Sequence, residues 1–140
     1  MQFSRSTDIQ SSINISKRMM FQYYQKYQLE WSSEKYLKVL LQAEHYHIHI
    51  GGELIGFFAY ECSANEIFIL DMQVLPQFQS QGVGSKVMVY LNDFCIQNNV
   101  PFIGLAVFKS NKKALNFYKN QKFHINEKSD IVYKMRKNVT

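Results

Sequence analysis

The stretch Glu66–Asp93, EIFILDMQVLPQFQSQGVGSKVMVYLND, is the most informative part of this chain. Its first part, Glu66–Val74, is a largely apolar run that predicts a buried strand, and Pro76 ends that strand because proline cannot donate to a sheet. A glycine-containing turn, Gln79–Gly84, leads directly into apolar residues at helical spacing. Free N–H groups and the positive end of the helix dipole favour a phosphate there, so the stretch predicts an anion site at a helix N-terminus.

Two common nucleotide-binding motifs do not fit this turn. A Walker A loop needs glycine where Gln79 stands, and lysine directly after Gly84, where the chain has Ser85. A dinucleotide fingerprint needs a third small residue at Val87 and an acidic residue further along. Taken alone, Gly82 and Gly84 also fit an ordinary tight turn.

Length and composition predict one globular domain covering residues 1–140. The chain is 46% hydrophobic and only 19% charged, and its aromatic fraction of 15% is high, which excludes a disordered protein. Apolar runs such as Leu54–Tyr60 are too short to span a membrane, and the first residues lack the pattern of a signal peptide. We therefore expect a cytoplasmic protein without a membrane segment.

Positive charge is concentrated in the second half of the chain. Residues 71–140 carry ten Lys or Arg against four Asp or Glu, whereas residues 1–70 carry six against seven. A polyanionic ligand such as a nucleotide cofactor explains this asymmetry, and a solvated lysine-rich face or a nucleic-acid surface is the alternative. Cys62 and Cys95 are too few for a disulfide framework, and we expect both to be small buried residues.

The first half of the chain predicts a strand, two helices and a hairpin. A strand at Gln2–Arg5 precedes a helix for which Thr7 and Gln10 have the form of a capping box. Ser32 or Ser33 caps the second helix. HYHIHI and ELIGFFAYEC then alternate in polarity around Gly51-Gly52, which indicates two strands joined by a tight turn.

Three histidines, His45, His47 and His49, alternate along the first hairpin strand and therefore share one of its faces. Tyr46 and Ile48 are expected to supply the core face, which leaves the histidines on an outer polar face. A metal site is the less favoured alternative, because no carboxylate or cysteine completes the set.

The second half predicts a helix from Val83 to about Asn98, the strand FIGLAVF, a helix capped by Ser110 and two short strands. The two short strands are expected at residues 123–125 and 131–135. The resulting order, β-α-α-β-β-β-α-β-α-β-β, indicates an α/β (α+β) fold, a mixed sheet with helices on its faces.

A longer constellation around the turn resembles a known family. Val74-x-Pro76-x-Phe78-Gln79-x-x-Gly82-x-Gly84 is similar to the acetyl-CoA motif of the GNAT superfamily of N-acetyltransferases. Asn111-x-x-Ala114-x-x-Phe117-Tyr118, followed by Phe123, resembles the second signature of that family. The resemblance covers residues 66–123 and implies a GNAT fold, with a mostly antiparallel sheet of about seven strands flanked by four helices, in a single GNAT acetyltransferase domain.

The resemblance implies acetyl-CoA as co-substrate. N–H groups of Gln81–Ser85 would bind its pyrophosphate, the strand edge at Met72–Val74 would bind the pantetheine in a splay between the fourth and fifth strands, and an N–H near Val74 would polarise the thioester carbonyl. The expected cofactor-binding residues are Met72, Gln73, Val74, Gln79, Ser80, Gln81, Gly82, Val83, Gly84, Ser85 and Asn111.

The resemblance also implies catalytic roles. Tyr118 stands where the family has a general acid for the departing thiolate. Some relatives carry a glutamate base in the fifth strand, where this chain has Ala106. Asp71 is the first candidate base, because Leu70–Val74 resembles the L-[ED]-D-x-x-V stretch of polyamine-type acetyltransferases, and Glu66 is the second. Water carrying the proton away, or a purely structural role for either carboxylate, is the alternative.

The implied reaction is transfer of acetyl from acetyl-CoA to a primary amine by direct attack, with no metal. A small-molecule amine is slightly favoured as acceptor over a peptide amine, with Trp31 and Tyr27 as substrate-binding residues between the first two helices. The alternatives are a protein N-terminal or lysine acetyltransferase, or a non-catalytic acyl-CoA-binding regulatory module. We expect no nucleic-acid or membrane partner, and a homodimer is consistent with the family.

Overall fold

The computed structural model describes residues 1–139 and contains, within them, seven strands, four α-helices and one 3-10 turn. The order of elements is the predicted one. The bounds are β1 Gln2–Arg5, α1 Ile9–Lys26, α2 Ser33–Leu41, β2 Glu44–Ile50, β3 Glu53–Cys62, β4 Glu66–Val74, the 3-10 turn Pro76–Phe78, α3 Val83–Asn98, β5 Phe102–Phe108, α4 Lys112–Asn120, β6 His124–Lys128 and β7 Val132–Asn138.

The strands follow one another in the sheet in the order β1-β2-β3-β4-β5-β7-β6. The pairs β1/β2, β2/β3, β5/β7 and β6/β7 are antiparallel, and β4/β5 is parallel. The expected mixed, mostly antiparallel sheet with four helices is confirmed. The chain forms two compact units, one of residues 1–60 and 71–84 and the other of residues 61–70 and 85 onward. The single-domain organisation stays a prediction.

In the first unit, α1 and α2 bury apolar side chains around Ile9, Ile13, Leu40 and Ala59, with partly buried aromatic rings packed against them. Asp8 caps α1, since its carboxylate accepts from both the N–H and the hydroxyl of Ser11. The prediction of Thr7 as the cap was wrong by one residue. Ser32 caps α2 by accepting from the N–H of Lys35, as one of the two predicted alternatives required.

The predicted hairpin is confirmed by the turn between β2 and β3. Gly51 and Gly52 have φ values of 57° and 81°, the left-handed backbone that a two-residue hairpin turn requires. Away from the turn, the nearly parallel rings of Tyr46, Phe58 and Tyr60 form a cluster in which each ring contacts the other two, at centroid distances of 5.1 to 6.3 Å. Cross-strand ring contacts of this kind fix the register of the two strands.

Two of the three histidines on this face of β2 are buried, contrary to expectation, and His49 is half-buried. His45 and His47 are each only 5% exposed, because the start of α1 covers them. His45 shares hydrogen bonds with the Ser12 hydroxyl at 2.7 Å and the Ser6 carbonyl at 3.0 Å, and His47 with the Asp8 carbonyl at 3.0 Å. Burial, with the nearby His45, lowers the pKa of His47. Imidazoles with such partners are tolerated in a core.

In the second unit, β4 pairs in parallel with β5 from Glu66/Phe102 to Ile69/Leu105, and β7 lies between β5 and β6. Buried side chains of α3, β5 and β7 form its interior, among them Val87, Met88, Leu91, Cys95, Ile103, Leu105 and Met135. Burial raises the pKa of the Cys95 thiol to about 11. Cys62, at the end of β3, is exposed, so the expectation that both cysteines are buried was wrong for it.

The cap of α4 is Asn111, whose amide oxygen accepts from the N–H of Ala114 at 3.2 Å. The prediction of Ser110 in this role was wrong by one residue. In the part of the chain that the structure describes, no helix has the length and apolar character needed to cross a membrane.

Candidate active site

The glycine turn that precedes α3 contains two residues with left-handed backbone conformation. Ser80 has a φ of 61° and Gly82 a φ of 81°, and α3 begins directly afterwards at Val83. A Cβ on Gly82 would meet nothing within 4 Å, so the backbone on that side is open. The first N–H groups of an α-helix have no intrahelical acceptor, and here they follow an exposed glycine. The turn therefore has the features of an anion cradle.

The end of β4 is held firmly before the turn. The Gln79 side-chain amide donates to the carbonyl of Val74 at 2.8 Å, and the N–H of Leu75 donates to the carbonyl of Ile55 at 2.8 Å. Gly56 of β3 lies so close that a Cβ there would be 2.2 Å from the carbonyl oxygen of Gln73. Only glycine permits this approach, which fixes the backbone of Gln73 and Val74.

Asp71 lies at the centre of a polar network within the first unit. Ser16 of α1 donates to its Oδ2 at 2.6 Å, Tyr36 of α2 donates to the same oxygen, and the amide of Gln73 donates to Oδ1 at 2.7 Å. Burial raises the pKa of the Asp71 carboxyl, while these hydrogen bonds oppose the rise. A buried carboxyl held by fixed donors, with a pKa that burial raises, is a candidate for proton transfer.

An aromatic cluster, Tyr24, Trp31 and Tyr36, adjoins this carboxylate. The Trp31 ring stacks on Tyr36 at 5.2 Å and contacts the edge of Tyr24 at 5.2 Å, and its Nε1 donates to the Ser33 hydroxyl at 2.9 Å. The structure therefore brings the predicted substrate residue Trp31 and the predicted base Asp71 together through Tyr36. Tyr27 is the C-terminal cap of α1, half-buried, with its N–H donating to the Tyr23 carbonyl.

Glu66 lies in the second unit and has a cationic partner. Arg136 of β7 donates to its carboxylate at 3.1 Å, and the guanidinium lies 3.9 Å from the centroid of the Phe102 ring. A Cβ on Gly104 would be 2.6 Å from a Glu66 carboxylate oxygen, so the side chain lies against that glycine. This environment is that of a carboxylate in a structural ion pair.

The remaining predicted residues of the second unit lie on α3 and α4. The hydroxyl of Ser85 accepts from the Gln121 amide at 3.1 Å. Tyr118 is buried in the last turns of α4, where its ring meets the edges of Phe117 and Phe123 at centroid distances of 5.1 and 5.4 Å. Asn111 uses its amide oxygen to cap α4, and this cap orients the side chain.

Sequence reasoning missed the residues that hold Asp71. Ser16 lies three residues after Ile13 and seven after Ile9, so it shares the buried face of α1, and a serine on such a face signals a buried partner. Tyr36 lies on α2 among apolar residues, and nothing in its local sequence indicates the hydrogen bond from its hydroxyl to Asp71. Among residues 1–139, no group of three or more His, Cys, Asp or Glu side chains is arranged to hold a metal ion.

A sequence model of the Acetyltransferase (GNAT) family matches residues 14–123. The chain is 30% identical over 70 residues to the thialysine N-epsilon-acetyltransferase of Mus musculus, covering 50% of this chain and 41% of the relative. It is 34% identical over 74 residues to the peptidyl-lysine N-acetyltransferase YiaC of Escherichia coli K12, covering 53% and 45%. The chain thus spans less than half the length of these two curated relatives.

Among solved structures, the PaiA N-acetyltransferase of Thermoplasma acidophilum in complex with coenzyme A is similar at a TM-score of 0.77. The match covers 99% of each chain at 17% identity, which is a similarity of fold. Together with the family match over residues 14–123, the fold and the glycine turn are those of a GNAT-type protein. With the family match over most of its length, this chain belongs to the GNAT acetyltransferase family.

Proposed function

We propose that this chain is an N-acetyltransferase that transfers acetyl from acetyl-CoA to a primary amine by direct attack, with a small-molecule amine slightly favoured. The observation that carries the proposal is the exposed turn at the start of α3, where Ser80 and Gly82 adopt left-handed backbone in a member of this family. Acetyl-CoA would supply an activated acetyl thioester.

The chain's residues fit this co-substrate. N–H groups from Gln81 to Ser85 would hold the pyrophosphate at the positive end of α3. The backbone of Met72–Val74 would bind the amide-rich pantetheine, with an N–H near Val74 as donor to the thioester carbonyl. Asn111 would contribute an amide to the cofactor arm, and Gln79 and Ser80 would shape the turn. One solved structure of similar fold is a coenzyme A complex.

Two side chains would move the protons. The Asp71 carboxylate would accept a proton from the acceptor's ammonium group, which frees the nitrogen lone pair for attack. The Tyr118 hydroxyl would donate a proton to the leaving sulfur. Glu66 is second as a base, because its charge is already balanced by Arg136.

The surroundings of Asp71 favour a cationic amine. The ion pairs found among residues 1–139 do not include Asp71, so its negative charge is met by neutral donors alone. Aromatic rings of the Trp31 cluster adjoin the carboxylate, and an ammonium group gains from both kinds of partner. Trp31 and Tyr27 are proposed to contact the acceptor.

Other acceptors and a non-catalytic role are the alternatives. The Mus musculus relative is named for thialysine and the Escherichia coli relative for peptidyl-lysine, so the family includes both small-molecule and protein acceptors. An acyl-CoA-binding regulatory module would share the turn but need no base. Cytoplasmic location, dimerisation and the lack of a nucleic-acid partner stay predictions.

An acceptor panel tests the proposed specificity. The chain is incubated with acetyl-CoA and, separately, a small diamine, free lysine, a peptide with a free N-terminus and an N-blocked peptide with one lysine. Mass spectrometry then measures acetylated product. We expect the small amines to be acetylated fastest. Faster acetylation of either peptide would overturn the preference for a small amine while keeping the activity.

A further inference from the structure

We propose that Tyr36 is a positioning residue that, together with Ser16, holds the Asp71 carboxylate ready to accept a proton from the acceptor amine. The inference rests on the proposed function, because it assigns Asp71 as the base. It concerns a residue of α2 that no motif identifies. Helices α1 and α2 would then take part in proton transfer as well as lining the proposed acceptor site.

The hydrogen bonds hold both oxygens of the Asp71 carboxylate. Ser16 and Tyr36 both donate to Oδ2, the amide of Gln73 donates to Oδ1, and the backbone N–H of Met72 is a further donor to the carboxylate. A carboxylate oxygen accepts about two hydrogen bonds, so the two side-chain donors on Oδ2 fix the orientation of the group. Removing either donor is therefore expected to raise the Asp71 pKa.

Tyr36 is suited to remain a donor. Burial and the adjacent Asp71 charge both raise the pKa of its hydroxyl, so the phenol stays protonated at neutral pH. Its hydrogen bond in turn favours the ionised form of Asp71, against the burial that raises the carboxyl pKa. A base that is partly buried needs such a donor to stay deprotonated.

Tyr36 is also held in place from its other side. Its ring stacks on Trp31 with an interplanar angle of 22°, and Trp31 is anchored by its bond to Ser33. Both rings pack against the apolar cluster that includes Leu40. The hydroxyl is thereby fixed by packing before any substrate arrives, which is what positioning requires.

A direct test measures the Asp71 carboxyl by carbon-13 NMR titration in the wild-type protein, in Tyr36→Phe and in Tyr133→Phe. Asp71→Asn assigns the signal. Tyr133 is the matched control, because its ring faces Lys109 in the other unit and its hydroxyl has no part in this network. We expect the Asp71 pKa to rise in Tyr36→Phe and to stay unchanged in Tyr133→Phe.

An unchanged Asp71 pKa in a folded Tyr36→Phe protein would overturn the proposal. Should Tyr36→Phe fail to fold, Ser16→Ala removes the other donor to Oδ2 and takes its place, with the same two outcomes. The titration needs no substrate, so it measures the effect of the Tyr36–Asp71 hydrogen bond on the Asp71 pKa whether or not the acceptor is known.

The pH profile of kcat/KM tests the role of Tyr36 separately from the proposed function. In Tyr36→Phe the acid limb of the kcat/KM profile should move to higher pH with the Asp71 pKa, with kcat/KM about tenfold lower at neutral pH and the KM for acetyl-CoA unchanged. An acid limb that stays in place would remove the positioning role. Absence of acetylation by the wild-type protein with every amine would instead contradict the proposed function.

Discussion

At the scale of single residues, the two candidate bases differ in the groups that stabilise their negative charge. Asp71 is surrounded by neutral donors, whereas Glu66 is paired with Arg136 and lies against Gly104. A proton acceptor must be able to gain a proton without losing a structural ion pair. This difference favours Asp71, although the two carboxylates belong to the same strand.

Replacing Asp71 by Asn should lower kcat/KM by about 10²- to 10⁴-fold, because a positioned base contributes on that order to a proton-transfer step. The amide keeps the size of the side chain and can still accept from Ser16. Steady-state kinetics measure the effect, with Asp130→Asn, an exposed aspartate, as the matched control. Full activity in Asp71→Asn, together with a large loss in Glu66→Gln, would reverse the assignment.

Replacing Tyr118 by Phe should lower kcat by about 10²-fold while leaving the dissociation constant for acetyl-CoA unchanged. The change removes only the hydroxyl and keeps the ring that packs against Phe117 and Phe123. Calorimetry gives the affinity and rapid assays give kcat. If kcat is unchanged, the tyrosine is not the acid.

At the scale of elements, the turn before α3 and the hairpin turn offer a matched pair of glycines. Gly82 and Gly52 share a φ of 81°, and neither has a neighbour within 4 Å of an added Cβ. Alanine at either position should cost about 1 kcal/mol of unfolding free energy through backbone strain alone. The two turns differ in whether their N–H groups are proposed to bind phosphate.

We expect Gly82→Ala and Gly52→Ala to be destabilised alike in urea denaturation, but only Gly82→Ala to lose acetyl-CoA affinity, by about tenfold. Calorimetry on the two folded variants makes the comparison. Equal affinities would show that the turn does not hold the cofactor, whatever the stabilities.

Local signals explain which elements were predictable. The hairpin and the start of α2 depend on adjacent residues, Gly51-Gly52 and Ser32, and both were predicted. The caps of α1 and α4 were each placed one residue early, because Thr7 and Asp8, or Ser110 and Asn111, are all capping types. Backbone geometry decides between them: Asp8 and Asn111 share φ of −81° and ψ near 75°.

Tertiary packing explains what was missed. The phosphate turn is contiguous in sequence, so its residues are visible as a motif. The partners of Asp71 come from α1 and α2, and its bond with Ser16 spans 55 residues. The burial of His45 and His47 likewise depends on where α1 begins to cover β2, which the alternation of β2 alone does not indicate.

At the scale of the whole molecule, the buried His47 links stability to pH. Burial lowers the pKa of His47 in the folded state below its unfolded value of about 6.5, so the unfolded chain binds a proton more readily. Above that pH, His47 contributes no pH dependence to the unfolding free energy. As the pH falls towards the folded pKa of His47, its imidazole lowers the unfolding free energy increasingly. The raised pKa of Asp71 acts in the opposite direction.

A difference measurement isolates the histidine. The unfolding free energy of the wild type should fall more steeply between pH 7 and 5 than that of His47→Gln, because the variant lacks the buried imidazole. Asp71 contributes equally to both proteins, so it does not affect the difference. His124→Gln, at an exposed position of β6, is the control for the effect of a histidine-to-glutamine change itself. Identical slopes for His47→Gln and the wild type would contradict a destabilising imidazole.

Release of free CoA thiol from acetyl-CoA measures whether this member of the GNAT family is an enzyme. The purified chain is mixed with acetyl-CoA, with and without a panel of primary amines, and thiol is followed continuously. We predict thiol release that depends on the amine and is proportional to the amount of protein. Binding of acetyl-CoA without thiol release above the protein-free rate, for every amine, would contradict it and indicate an acyl-CoA-binding module.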